Sequence, residues 1–235
     1  MVGERVNELN DAAVVELYGS PVSNCYNTVL ASLHYKGIAH HEYHIGAAQD
    51  SEFLRRSPMG KIPYICHDGH FISETTAIVD YLDEVFTGPV LCPGTALQRA
   101  RRRQLIKFIE LYVELPARRL FPGTFWFQTN DPVHLAEVRP ILERGLNAIE
   151  VLLKENAFLL MSPCAAAEFY SYFSLALVDN VCQRAYDWDL WRGRPLLKRF
   201  VDKPVALGFV AEICAQREGA MQAYLDKKAA EAIVL

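Results

Sequence analysis

What the chain lacks narrows its possible roles first. No stretch approaches the roughly 20 consecutive apolar residues of a membrane-spanning helix, although 51% of the 235 residues are hydrophobic. Neither sign of charge dominates. The 24 basic and 28 acidic side chains leave a net charge of -4, which gives no field for gripping a nucleic-acid backbone or an anionic membrane. The six cysteines are scattered, with no C-x-x-C pair and no Cys/His cluster of zinc spacing. His40, His41 and His44 offer no metal-ligand spacing either, so no metal is expected. Thiols so dispersed suit a reducing cytoplasm better than a disulfide framework. There is no internal repeat and no low-complexity segment. Met1–Asp11 is polar and mixed in charge, unlike a secretory leader, and residues 1–13 are expected to form a flexible tail.

What is present concentrates in the stretch from Ser57 to Ile78. Pro63 heads the apolar run to Cys66, and proline is tolerated at a strand's first residue or edge. An X–Pro bond can be cis at modest cost, usually in a tight turn, and a cis Ile62–Pro63 bond would free the backbone groups of Ile62. Ile62 is expected to offer its N–H and C=O to an extended ligand. His67-Asp-Gly-His70 signals a two-residue hairpin, because Asp-Gly suits a type I′ turn. Phe71 and Ile72 return as the partner strand. Ile78, Tyr81, Leu82 and Val85 then keep helical spacing. Ser73, Glu74 and Thr75 stand where that helix begins, beside unpaired N–H groups and the positive end of the helix dipole. A ligand carboxylate fits such a place, and Glu74 can hold a ligand ammonium.

The N-terminal part repeats the theme. Val14–Tyr18 reads as a strand, and Gly19-Ser-Pro-Val-Ser-Asn24 is turn chemistry. Tyr26, Val29, Leu30 and Leu33 begin a helix that Gly37 should stop. Ser23 stands at its start, where a hydroxyl serves either as an ordinary N-cap or as a donor to an anion.

These two segments, L-Y-G-S-P-V-S followed by V-L-x-x-L, and G-K-I-P followed by S-E-T-T-A-I-x-x-Y-L, resemble the glutathione-binding half of glutathione S-transferases. The likeness is to serine-type, cytosolic, bacterial-like members. The resemblance implies an α/β thioredoxin-like domain with a mixed four-stranded sheet, followed by an all-α helical domain. It also implies glutathione as co-substrate and a homodimer. It assigns Ser23 to stabilising the thiolate, Ile62 and Pro63 to the cysteinyl backbone, and Glu74 and Thr75 to the γ-glutamyl end. Lys61 stands where the family carries a Gln or Lys near the ligand. Tyr18, Ser20 and Cys25 are rivals to Ser23, since other members use tyrosine or cysteine. Two departures stand out. Ala47-Ala-Gln49 replaces a basic pair, leaving Gln49 able to hydrogen-bond but not to supply charge, with Arg55, Arg56 or Lys61 as substitutes. Ala165-Ala-Ala-Glu168 replaces a Ser/Thr-x-x-Asp capping box, with the hydroxyl missing and Glu168 still able to reach back.

The organisation expected is a glutathione-binding domain over 14–86, a turn-rich linker over 87–95 and a helical substrate-binding domain over 96–235. In the last, Leu105, Phe108, Ile109 and Tyr112 share a helical face. Leu142, Leu146, Ile149 and Leu153 share another. Phe169 and Phe173 open a buried helix, and Val210 to Tyr224 mark a long terminal one. Arg99-Ala-Arg-Arg-Arg103 reads as a solvated helix face or a dimer contact through ion pairs. Tyr112, Arg118, Arg119 and the aromatics Phe121 and Phe125–Phe127 are the candidates for holding a hydrophobic electrophile. The leading function is a cytoplasmic glutathione transferase. A non-catalytic, transferase-shaped binding protein and a glutathione-dependent disulfide reductase or peroxidase are the alternatives.

Overall fold

The alternation in Val15-Glu-Leu-Tyr-Gly19 decides the first element. In the computed structural model, which describes residues 14–233, these residues form β1, with Val15, Leu17 and Gly19 buried and Glu16 and Tyr18 on the opposite face. The tail expected over residues 1–13 lies outside the described residues. β2 (His40–His44) runs parallel to β1, while β3 (Tyr64–His67) and β4 (His70–Ser73) are antiparallel neighbours, giving the order β2-β1-β3-β4. α1 (Asn24–Lys36), α2 (Ser51–Arg56) and α3 (Thr75–Val85) complete a thioredoxin-like α/β unit that extends through Leu91.

Local chemistry explains the punctuation. Asp68 and Gly69 both take positive φ, 50° and 78°, as a type I′ hairpin turn requires. Gly37 ends α1 at φ 69°, its N–H returning to the carbonyls of Leu33 and His34, the usual left-handed helix stop. Leu17, Ile65, Val29, Leu33, Ile78 and Leu82 are fully buried and form the core of this unit. On the other face of the sheet Tyr43, Tyr18 and Tyr64 stack at 4.7 Å spacing, one per strand.

The second unit begins at Cys92 and is helical. It runs through α4 (Ala96–Ile109), a π turn (Glu110–Glu114), α5 (Leu115–Ala117), a 3-10 turn (Arg118–Leu120) and α6 (Phe121–Phe125). Then come α7 (Pro132–Glu155), α8 (Phe158–Met161), α9 (Ala165–Tyr186), α10 (Pro195–Val201) and α11 (Gly208–Ile233). α9 buries residues around its whole circumference, Phe169 and Phe173 among them, which marks a central helix. Leu142, Leu146, Ile149 and Leu153 of α7 are fully buried.

Three expectations are corrected here. Tyr112 does not share the face of Leu105 and Ile109; it is 51% exposed, and Val113 is buried in its place. The π turn adds a residue to the helical count, so a 3.6-residue period misses by one beyond Ile109. The close approach of α7 fits this turn, because a Cβ on Gly145 would stand 2.6 Å from the Tyr112 carbonyl oxygen. Second, Arg102 is no part of a solvated face. It is 2% exposed, and its Nη2 donates to the carbonyls of Ser162 and Pro163 at 3.5 and 3.4 Å. It lies one turn ahead of Leu105 on the inward stripe and is carried inside with it. Third, α9 starts one residue earlier than the motif suggests. Cys164 is its N-cap, and Glu168 accepts the Cys164 N–H at 3.4 Å while pairing with Lys203 at 3.2 Å.

Candidate functional site

The register of the sheet gathers the candidate residues. Tyr18 pairs with Tyr64, Tyr64 with Ser73, and Gly19 with His44. All four strands therefore reach one rim together. Immediately beyond it lie the loop ending at Ser23, the segment 45–50 with Gln49, the tripeptide Lys61-Ile62-Pro63, and Glu74-Thr75.

Ser23 is the N-cap of α1, with φ -84° and ψ 121°. Its Oγ accepts the Tyr26 N–H at 3.3 Å, longer than the usual 2.9–3.0 Å or so of such a bond. Capping uses a lone pair of the hydroxyl and leaves its proton free to donate. The loop is fixed by the Ser23 N–H on the Ser20 carbonyl and by Asn27 Nδ2 on the Pro21 carbonyl, both at 2.9 Å. The rivals are placed differently. The Tyr18 hydroxyl donates to Glu16 Oε2 at 2.6 Å along its own strand, and burial followed by the Glu16 bond raises its pKa. A tyrosine so held is a poor donor to a second anion. Cys25 is the second residue of α1.

Across the rim, the Ile62–Pro63 bond is cis. Pro63 is buried, and Ile62 precedes β3, with neither its N–H nor its C=O in the sheet ladder. The Lys61 side chain is exposed, and its carbonyl accepts from Ser57 Oγ at 2.8 Å. Ser57 is 1% exposed; in the sequence it marks only the start of the stretch that carries the candidates. Gln49 is exposed, its Nε2 donating to the Met59 carbonyl at 3.4 Å. Gly60, at φ 64°, lies so close that an added Cβ would stand 2.4 Å from the Ala48 carbonyl oxygen. Arg56 already has partners on its own side of the rim. It bonds Glu52 and lies 5.7 Å over the Phe71 ring.

Glu74 is the most unusual residue of the rim. It caps α3 at φ 72° and ψ 117°, with no side-chain hydrogen bond to the helix. A non-glycine residue in so sparse a region costs on the order of 1–3 kcal/mol. The first N–H groups of α3 thus receive no side-chain cap, and the Glu74 carboxylate stays exposed beside a largely buried Thr75.

The remaining candidates belong to the helical unit. Tyr112 lies edge-on to Phe108 at 6.1 Å. Arg119 donates to Glu137 at 2.6 Å and Arg118 to Glu114 at 2.6 Å. Phe121 meets Phe125 and Trp126 edge-on at 5.1 and 6.4 Å, with the Arg118 guanidinium 5.2 Å over its ring. Phe121, Phe125 and Trp126 thus make an aromatic cluster, with Arg118 paired to Glu114 beside it and Arg184 6.0 Å over the Phe125 ring.

Residues 17–90 match the family model of the glutathione S-transferase N-terminal domain. That span contains Ser23, the cis bond and the strained Glu74. This part of the chain is a glutathione S-transferase N-terminal domain. A glutathione S-transferase of Pseudomonas putida is 29% identical over 213 residues, 91% of this chain and 97% of the relative. Among solved structures, a Ser-to-Cys mutant of poplar glutathione transferase F1 superposes with a TM-score of 0.73 at 20% identity, over 89% of this chain and 100% of the other. A maleylacetoacetate isomerase from Methylobacterium extorquens AM1, with malonate and GSH bound, gives 0.63 at 22% identity, over 86% and 97%. At such identities these two likenesses speak for the fold.

No helix among the described residues is long and apolar enough to cross a membrane. Nor do those residues hold a group of three or more His, Cys, Asp or Glu arranged for a metal. None of the six cysteines is in a disulfide.

Proposed function

We propose that this protein is a glutathione transferase that joins the glutathione sulfur to a hydrophobic electrophile, with Ser23 stabilising the thiolate. The observation that carries this reading is the Ser23 hydroxyl, held as a helix cap through one long acceptor bond with its proton free. Ile62 would pair with the cysteinyl backbone. Glu74, Thr75 and the uncapped start of α3 would take the γ-glutamyl ammonium and carboxylate, with Gln49 and Lys61 near the glycyl end.

The energetics are of the right size. A thiol of pKa near 8.5 is about 3% ionised at neutral pH. Lowering that value by about two units requires roughly 2.7 kcal/mol of preference for the anion. A hydrogen bond to a charged acceptor contributes about 1.5–3 kcal/mol, and the start of α1 adds about 0.3–1. The thiol proton leaves to solvent, and Ser23 donates to the sulfur without losing its own proton. The sulfur pair then forms the S–C bond while the leaving group takes the electrons of the bond that breaks.

Glutathione titrated calorimetrically into wild type and Ser23→Ala, with the bound thiol's pKa read from thiolate absorbance, tests this. Wild type should bind and hold the thiol well below its free value. Ser23→Ala should bind with similar affinity, lose most of that shift, and turn over about 20-fold more slowly near neutral pH. Absence of binding at millimolar glutathione would overturn the reading and favour a transferase-shaped binding protein.

The likeness over 149 residues, at 29% identity, to a maleylacetoacetate isomerase of Dictyostelium discoideum favours a second reading, in which reversible addition of the thiolate lets a cis double bond turn. A dianionic substrate needs free cations, and Arg118 and Arg119 are both committed to carboxylates. The aromatic cluster therefore favours a neutral electrophile, and comparing an activated aryl halide with a cis-unsaturated diacid decides between them. The family also supports a homodimer in the cytoplasm, with residues 14–86 binding glutathione, 87–95 as linker and 96–235 supplying the Tyr112, Arg119 and Phe121 side; sedimentation and fractionation test the first two.

A further inference from the structure

We propose that Tyr26 and Glu42 form a positioning pair that sets where the Ser23 hydroxyl points, and thereby how acidic the bound thiol becomes. This rests on the glutathione reading above and concerns residues that themselves touch no ligand.

The Ser23 hydroxyl hangs from the first turn of α1 by its 3.3 Å bond to the Tyr26 N–H. So long a bond does little to direct the group by itself. Its aim depends on where the backbone of Tyr26 sits. That backbone is tied to the sheet twice. The Tyr26 ring lies on the last residue of β1, so closely that a Cβ on Gly19 would stand 2.4 Å from ring carbon Cδ2. Only a residue without a side chain lets the strand end and the helix start approach this far. The Tyr26 hydroxyl then donates to Glu42 Oε2, in the middle of β2 and sixteen residues away in sequence. Tyr26 is wholly buried, so its O–H needs an acceptor, and Glu42 supplies a charged one.

The partners of the pair fix its direction. Burial first, and then the bond to Glu42, push the Tyr26 hydroxyl well above its ordinary pKa. It therefore remains a donor at every working pH. The Glu42 carboxylate also faces His44, whose Nε2 lies 3.7 Å away and whose ring meets the Tyr26 ring edge-on at 6.2 Å. The helix start that carries Ser23 is thus held by the central strand β1 and the edge strand β2. The other side of the loop is held by Asn27 on the Pro21 carbonyl. A packing role alone would be met by phenylalanine, which keeps the ring on Gly19. The hydroxyl and its carboxylate add a directional restraint three residues, one hydrogen bond, away from the group whose direction matters.

The test separates direction from packing. Tyr26→Phe keeps the ring and removes the tie; Glu42→Gln keeps an acceptor and removes its charge. Each is titrated with glutathione, for the bound thiol's pKa, and with S-methylglutathione, which has no thiol to ionise. The pH profile of kcat/KM is measured with an activated aryl halide. The expected result for Tyr26→Phe is unchanged S-methylglutathione affinity and a bound thiol less acidic than in wild type. Its kcat/KM should be about three- to tenfold lower below the thiol's pKa and converge on wild type at high pH. Glu42→Gln should move the same way by less. If either variant is less stable but keeps the wild-type thiol acidity and pH profile, the pair is only structural and the inference fails while the glutathione reading stands. If wild type itself does not acidify the thiol, both fail together.

Discussion

The α/β unit and the helical unit begin their helices differently. In the helical unit α4 starts with a complete capping box. Thr95 Oγ1 accepts the Gln98 N–H at 3.3 Å, and Gln98 Oε1 accepts the Thr95 N–H at 2.9 Å. α9 has no side-chain cap on its N–H groups, yet Glu168 still returns to Cys164. In the α/β unit, α1 is capped by one long bond, and α3 by none, from a residue in a strained conformation. A start that satisfies its own N–H groups has nothing to offer a ligand. One that leaves them open gives up stability, and keeps an anion site. The two loosely capped helices, α1 and α3, carry Ser23 and Glu74 to the same rim of the sheet.

Glu74→Gly should invert the comparison with the largest effect. Glycine adopts φ 72° without strain, so the variant should gain on the order of 1 kcal/mol in stability. Losing a charged partner of the ligand should weaken glutathione binding on the order of 100-fold, since a hydrogen bond to a charged group is worth about 1.5–3 kcal/mol. Denaturant midpoints and calorimetric titration, run on the same preparation, read the two opposite signs. A variant that is less stable and binds normally would mean that Glu74 serves the fold alone.

Thr95→Ala is the counterpart in the helical unit. It removes one half of the α4 capping box and should cost about 1 kcal/mol of stability. Glutathione affinity should be untouched. A change in affinity larger than about twofold would mean that the cap of α4 bears on glutathione binding after all, and the distinction between closed and open starts would lose its meaning.

How much of this was legible in the sequence follows from the kind of signal each feature leaves. The hairpin at Asp68-Gly69, the stop at Gly37 and the cap at Ser23 were readable because each needs a particular residue chemistry at one backbone position. The buried face of α7 was readable because four residues repeat at helical spacing. Tyr112 was not, because periodicity assumes a constant turn and the π turn breaks the count. Arg102 was not, because a basic run looks solvated until the inward stripe is known to pass through it. Nor was the Glu74 strain, since nothing local in Ser-Glu-Thr-Thr demands a positive φ. Tyr26 and Glu42 belong to the same class. Their tie is made by the parallel pairing of β1 and β2, and only the register reveals it.

The smallest effect concerns the start of α2, the one tightly capped helix of the α/β unit. Asp50 Oδ1 accepts the N–H groups of Phe53 and Glu52 at 2.9 and 3.1 Å. The Phe53 bond, with help from Glu52, lowers the carboxyl pKa below its ordinary value. Because the folded pKa is depressed, the contribution to stability is present above the unfolded value of about 3.9 and fades as pH falls through the folded value. Asn caps nearly as well as Asp but does not titrate. Wild type should therefore be slightly more stable than Asp50→Asn at neutral pH, and the two urea midpoints should converge as pH drops below about 4. Parallel curves down to acid would mean that the charge of this exposed cap contributes nothing, and that the difference between open and closed starts lies in hydrogen-bond geometry alone.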